Sequence, residues 1–186
     1  MDPDSETPGG HIHSGHPFLR PEALRDPARR LRGRLPAPVT LWTAAHGGER
    51  AGLTVSSVLV AEPGELVGVV GDETDVLDVL QRSGAFAVTV LDWSHRGLAD
   101  AFSFLAPAPG GPFTVADWEE TAWGPVPAGD VTWAGCRVRG VRELGYGRLV
   151  EAGVEHVHLA EERAGAAASG GRDPLAWHRG RYRHLD

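Results

Sequence analysis

Three hydroxyl side chains stand in four consecutive positions at Thr54-Val55-Ser56-Ser57. The stretch follows a strand-like segment, residues 38–45, across the polar turn His46-Gly47-Gly48-Glu49-Arg50. Such a segment can offer Oγ atoms and backbone N–H groups to an anion without a dedicated basic residue. Taken alone, it equally fits the outward side of a half-buried strand, where Thr is favoured. A second anion-holding position is Val70-Gly71-Asp72-Glu73-Thr74-Asp75, where a strand pattern gives way to a helical one. Helix N-termini attract negative charge through unpaired N–H groups and the dipole. Here Asp72, Glu73 and Asp75 already bring three negative charges, which ordinary helix capping also explains.

Composition narrows the chemistry. All 18 basic residues are arginine. A pyridoxal phosphate Schiff base, a Ser-Lys dyad and a Walker A phosphate lysine each require an amine and are excluded. Cys136 is the lone cysteine, so there is no internal disulfide, CxxC pair or cysteine-rich zinc site. A reducing compartment is compatible with that. The net charge of −7 argues against nucleic acid as the main partner, although two arginine runs, Arg29/Arg30/Arg32/Arg34 and Arg179/Arg181/Arg183, remain as local anion contacts. The start of the chain lacks the positive and apolar regions of a signal peptide, and no apolar run is long enough to span a bilayer, so a cytoplasmic protein is expected.

The elements that must position these residues follow from periodicity. Residues 1–17 are rich in Pro, Gly, Asp and His without pattern and read as a flexible arm, leaving 18–186 as one domain. Leu24, Ala28, Leu31 and Leu35 at helical spacing predict an amphipathic helix over residues 21–33. Three strands are predicted at 39–45, 51–61 and 65–70. Thr74 is placed to cap a helix carrying Val76, Leu77, Val79 and Leu80, closed by Ser83-Gly84. A strand over 85–91 and a short helix capped by Ser94 follow, and further strands are predicted at 118–122, 131–144 and 147–159, the last two forming a long hairpin. Residues 161–172 read as a surface loop. Six or seven strands with two intervening helices point to a closed or partly closed barrel, not a parallel βαβ sheet. GxGxxG is absent, which leaves a Rossmann site without support. His11, His13 and His16 form an HxHxxH cluster with no carboxylate or cysteine of suitable spacing, and read as incidental to metal binding. His95, His156 and His158 have no triad partners in recognisable spacing, and no nucleophile elbow is present.

In order, PVT, GLTVSS, an apolar strand, a helix, GAFAVTVL and a closing LAWHRGRYRHL resemble the flavin reductase-like family of FMN-binding split barrels, over about residues 16–185. The resemblance implies a mainly β split barrel with a few short helices. It places Thr54, Val55, Ser56 and Ser57 along the flavin, with hydroxyls and amides addressing ring edge and phosphate, and Gly71 and Thr74 at the FMN phosphate. Thr89 replaces the Asn of the family pattern GxFxVNVL. Phe102 and Phe104 match the region of an aromatic near the flavin, or else fill the core. Trp177 and Tyr182 wall the flavin or a dimer interface. One departure is sharp: the family hairpin GDHxLFxGEV carries a histidine thought to assist nicotinamide use, and here Gly147 stands at that position with Tyr146 at the acid. The implied function is hydride transfer from NADH or NADPH to FMN, with FAD as the other candidate flavin, by a homodimer that supplies reduced flavin to a monooxygenase partner. The same groove could instead serve a non-reductase flavin- or haem-binding protein, or a flavoenzyme acting directly on a small substrate.

Overall fold

Thr40-Leu41-Trp42-Thr43-Ala44 lacks polar alternation, the pattern of a strand covered on both faces. In the computed structural model, which describes residues 27–161 and 173–184, all five are buried at the start of a central strand. The chain order is α1 (Pro27–Arg32), β1 (Ala37–Pro38), β2 (Thr40–His46), β3 (Glu49–Val55), β4 (Val58–Ala61), β5 (Glu65–Gly71), α2 (Asp75–Ser83) and β6 (Ala85–Val90). A 3₁₀ turn (Trp93–His95), α3 (Arg96–Phe102), β7 (Trp118–Glu120), β8 (Pro125–Pro127), β9 (Trp133–Leu144), β10 (Gly147–His158), β11 (Ala176–His178) and β12 (Arg181–Arg183) complete it.

Seven antiparallel strands run in the order β3-β2-β6-β9-β10-β5-β4. The two edges, β3 and β4, are consecutive in sequence and joined by Ser56 and Ser57 alone. A two-residue link can connect opposite edges only if the sheet curls until they meet. Closure is therefore imposed by connectivity, and the split of the barrel lies at Ser56-Ser57. Register shifts in β10 between Glu151 and Ala152 and between Val154 and His156 help the sheet bend.

Inside the barrel Trp42 stacks on Phe86 at 4.7 Å among Ala44, Val55, Leu66, Val88 and Val150. A Cβ on Gly68 would lie 2.6 Å from the Trp42 ring, so the missing side chain is what admits the indole. Helix α2 plugs the barrel with Val76, Leu77, Val79 and Leu80, all buried. Each contributes about 1.5–3 kcal/mol by leaving water, and Leu80→Ala would cost roughly 2–5 kcal/mol. Gly84, at φ 69°, closes α2 by donating its N–H to Leu80 O at 2.9 Å. Outside the barrel, α3 covers Leu41 with Ala99 and Phe102, together with Leu91 and Leu175. The register Thr54–Leu41–Thr89 sets these three side chains on that same covered face.

Several expectations need correction. The strand expected over 51–61 is two strands, because it crosses the barrel split. The helix expected over 21–33 is described only at Pro27–Arg32, where no residue is buried; Leu31 and Leu35 are 61% and 59% exposed instead of facing a core. Asp92, not Ser94, caps the turn before α3: its Oδ1 accepts the Ser94 N–H at 2.9 Å. Strand β8 was not anticipated, since its two prolines read as breakers. The arm at 1–17, the His11/His13/His16 cluster and nearly all of the 161–172 loop lie outside the described residues.

Candidate functional site

The barrel split opens beside the C-terminal hairpin β11–β12. β1 pairs with β11, matching Ala37 with Trp177, so the last strands are folded back against the start of the domain. Trp177 and Tyr182 pair across the hairpin with ring centroids 5.0 Å apart at 68°. These rings, with Val39, Thr54, Ser56, Ser103 and Leu105, line a groove.

The polar atoms can be accounted for one at a time. Thr54 Oγ1 donates to Ala99 O at 2.8 Å, so its proton is used in tying β3 to α3. Among the described residues, neither the Ser56 hydroxyl nor the backbone N–H of Ser56 or Ser57 has a partner. Ser57 Oγ accepts from Arg32 Nη2 at 3.3 Å, leaving its own proton to donate, and Ser57 O accepts the Val69 N–H at 2.9 Å. That second bond sets the split beside the C-terminal end of β5, two residues before Gly71. Tyr182 OH donates to Asp100 Oδ1 at 2.8 Å. Burial, and then the Asp100 carboxylate, push the phenol above its ordinary value of 10.0, so it stays protonated.

At the β5–α2 turn, Thr74 occupies the N-cap position, but its side chain does not cap the helix; Oγ1 donates back to Gly71 O at 3.0 Å. The first N–H groups of α2 have no side-chain cap. Arg148 Nε donates to Asp72 Oδ1 at 2.5 Å, which offsets one of the three acids of this turn. The Asp72 contact also holds the Arg148 guanidinium above its usual range.

Thr54, Ser56, Trp177 and Tyr182 thus meet in one groove, with Ser57 next in the chain and bonded to Arg32. Val55 turns its side chain into the barrel core. Phe102 and Thr89, expected at the cofactor, are fully buried. The Phe102 ring lies over Gly52, where a Cβ would meet it at 2.6 Å, and packs edge-on against Phe113 and Trp118. Thr89 Oγ1 is buried without a hydrogen-bond partner. Phe104 is 71% exposed at φ 58°, not a core residue. Asp100, Ser103 and Leu105 were not anticipated, and Arg32 was expected only as a member of an arginine run open to anions, without its contact to Ser57. Their placement depends on contacts such as Tyr182–Asp100, 82 residues apart, which leave no local pattern.

A family model described as flavin reductase like domain matches residues 32–186. The chain belongs to the flavin reductase-like family. Over 165 residues it is 29% identical to an FMN reductase (NADH), RutF, of Ancylobacter novellus, spanning 87% of this chain and 86% of that protein. The NADH:FAD oxidoreductase SgcE6 of Streptomyces globisporus superimposes with TM-score 0.72 at 24% identity, over 90% of this chain and 99% of that one. A homolog of nitrilotriacetate monooxygenase component B from Mycobacterium thermoresistibile gives TM-score 0.73 at 23% identity, over 86% and 85% of the two chains. At such identities the structural likenesses speak for the fold, and they confirm the mainly β split barrel. Gly147, which the resemblance sets at the position of the family's hairpin histidine, has Gly71 as its register partner. A Cβ there would meet Val70 O at 2.6 Å, so this version of the hairpin sits too close to β5 for any side chain at 147.

Proposed function

We propose that this flavin reductase-like protein binds FMN in the groove at the barrel split and catalyses hydride transfer from a reduced nicotinamide dinucleotide to the flavin. The observation that carries this reading is the set of unpartnered donors at Ser56 and Ser57 facing a groove walled by Trp177 and Tyr182. These donors suit the carbonyl and nitrogen edge of a flavin ring, and the aromatic rings suit its plane. The Thr54 hydroxyl, having spent its proton on Ala99, offers acceptor lone pairs only. The uncapped N–H groups of α2, near Gly71 and Thr74, suit the flavin phosphate.

Bound flavin and nicotinamide supply the redox chemistry; the protein positions them and excludes water. No side chain at 147 can assist, since Gly147 has none. The groove carries no acid–base pair, and reduction here rests on orientation. A homodimer fits the exposed apolar residues Leu31, Leu35, Phe104 and Leu105 around the groove, which a second copy would cover. A flavin-dependent monooxygenase is the proposed consumer of the reduced flavin. Cytoplasmic location fits the single buried Cys136, and among the described residues no helix is long and apolar enough to cross a membrane.

The test is steady-state oxidation of NADH and NADPH with added FMN or FAD, alongside quenching of flavin fluorescence. Turnover together with quenching at micromolar protein is expected. Absence of both removes the proposal.

A further inference from the structure

The two lysine-free arginine runs come from opposite ends of the domain, and the fold brings them to one corner. Arg179 N–H donates to Gly33 O at 3.0 Å, pinning the β11–β12 turn to the end of α1. Arg32, in the last turn of α1, reaches Ser57 at the barrel split. Residues 27–35 and 176–184 together hold seven arginines and no carboxylate.

Elsewhere most described arginines find acids: Arg50, Arg82, Arg137, Arg139, Arg142 and Arg148 each pair with Asp or Glu, while Arg96 lies over the Trp93 ring. Among the described residues none of the seven at this corner has an ion pair. In a chain of net charge −7, a corner with seven arginines and no ion pair among the described residues forms a local well for anions, and Arg32 carries it to Ser57 beside the groove. Arg179 carries a further mark. With φ 53° it shares a tight turn with Gly180 at φ 77°, a place where Asn or Gly would sit without strain.

Resting on the flavin-groove reading above, we propose that Arg32 and Arg179 form an anion site at the groove mouth for a phosphate carried by the adenosine half of a dinucleotide. Two sources share that chemistry: the adenylate phosphate of FAD and the 2′-phosphate of NADPH. Guanidinium groups suit either through paired, charge-assisted hydrogen bonds. Arg32 contacts Ser57, the neighbour of the groove residue Ser56, so it stands within reach of the tail of a ligand whose ring rests against Trp177 and Tyr182.

The test compares wild type with the double variant Arg32→Gln, Arg179→Asn, in which Gln can still donate to Ser57 and Asn tolerates the left-handed backbone. Binding of FMN, FAD, AMP, 5′-ADP and 2′,5′-ADP is measured by titration calorimetry, and kcat/KM is measured for NADH and NADPH. A loss in FAD and 5′-ADP affinity about tenfold greater than any loss in FMN affinity assigns the site to the flavin dinucleotide. A loss for 2′,5′-ADP and NADPH about tenfold greater than any change for NADH assigns it to the nicotinamide dinucleotide. Equal affinities in both proteins for all three adenosine nucleotides overturn the proposal. The nucleotide titrations need no bound flavin, so they decide this point even if flavin binding itself fails.

Discussion

Placing a histidine at position 147 should damage the protein. An ideal Cβ at Gly147 falls 2.6 Å from Val70 O and 3.2 Å from Val69 Cγ1. Cβ contacts below 3.0 Å essentially do not occur, so β10 and β5 must part by at least 3.0 − 2.6 = 0.4 Å. The obstacle is a backbone carbonyl in a ladder where Gly147 faces Gly71 and Arg148 faces Val70, so no rotamer change relieves it. Overpacking of this kind costs about 1–3 kcal/mol. For a chain of this size each kcal/mol lowers the melting temperature by about 2–4 °C, giving a fall of roughly 2–12 °C for Gly147→Ala and at least as much for Gly147→His. Scanning calorimetry with urea titration measures it. A Gly147→Ala protein that melts with wild type would refute the close approach, and with it the claim that this hairpin has no room for the histidine.

Three further outcomes are expected. Ser56→Ala removes an unpartnered hydroxyl, so it should leave the melting temperature unchanged and weaken FMN binding about two- to tenfold by fluorescence titration; unchanged affinity would remove Ser56 from the site. Burial, and secondarily Glu155, push the Cys136 thiol up to about 12, so Ellman's reagent at pH 8 should label it only on unfolding; rapid labelling of the native protein would contradict its burial. Tyr182 keeps its proton in the folded state above its ordinary 10.0 whereas the unfolded chain ionises there. Folding stability should thus hold below about pH 10 and fall above it by about 1.4 kcal/mol per pH unit from this group. The Tyr182→Phe protein should lack that increment, and identical alkaline slopes would argue against a buried phenol that keeps its proton.

Much of the barrel was legible because strand periodicity and turn residues are local. The α2 plug, its glycine cap and the β9–β10 hairpin each announce themselves within a dozen residues. The break at Ser56-Ser57 was not legible: both flanking strands favour extended backbone, and only closure of the sheet separates them. For the site, the resemblance led to Thr54, Ser56, Trp177 and Tyr182, which the fold gathers. It could not show that Phe102 belongs to the core, since an aromatic on a short helix reads the same over a cofactor or over Gly52. Asp100 escaped notice, and Arg32 was not tied to the serines, because each acts through a partner far along the chain.

The two-residue link between the sheet edges also has a mechanical consequence. Any ligand that bonds to Ser56 or Ser57 while resting on the β11–β12 hairpin spans the one place where the cylinder is not stitched by a strand ladder. It acts as a clasp on a hoop. At a hundredfold excess over its dissociation constant such a ligand adds about 2.7 kcal/mol to the folded state. That gain should concentrate where the hoop can spring open. Amide hydrogens of β3 and β4 would slow their exchange most when the groove is filled, while those of β6 and β9, opposite the opening, would hardly respond. Loading with cofactor and integrity of the barrel would then be one property, read at the same two serines.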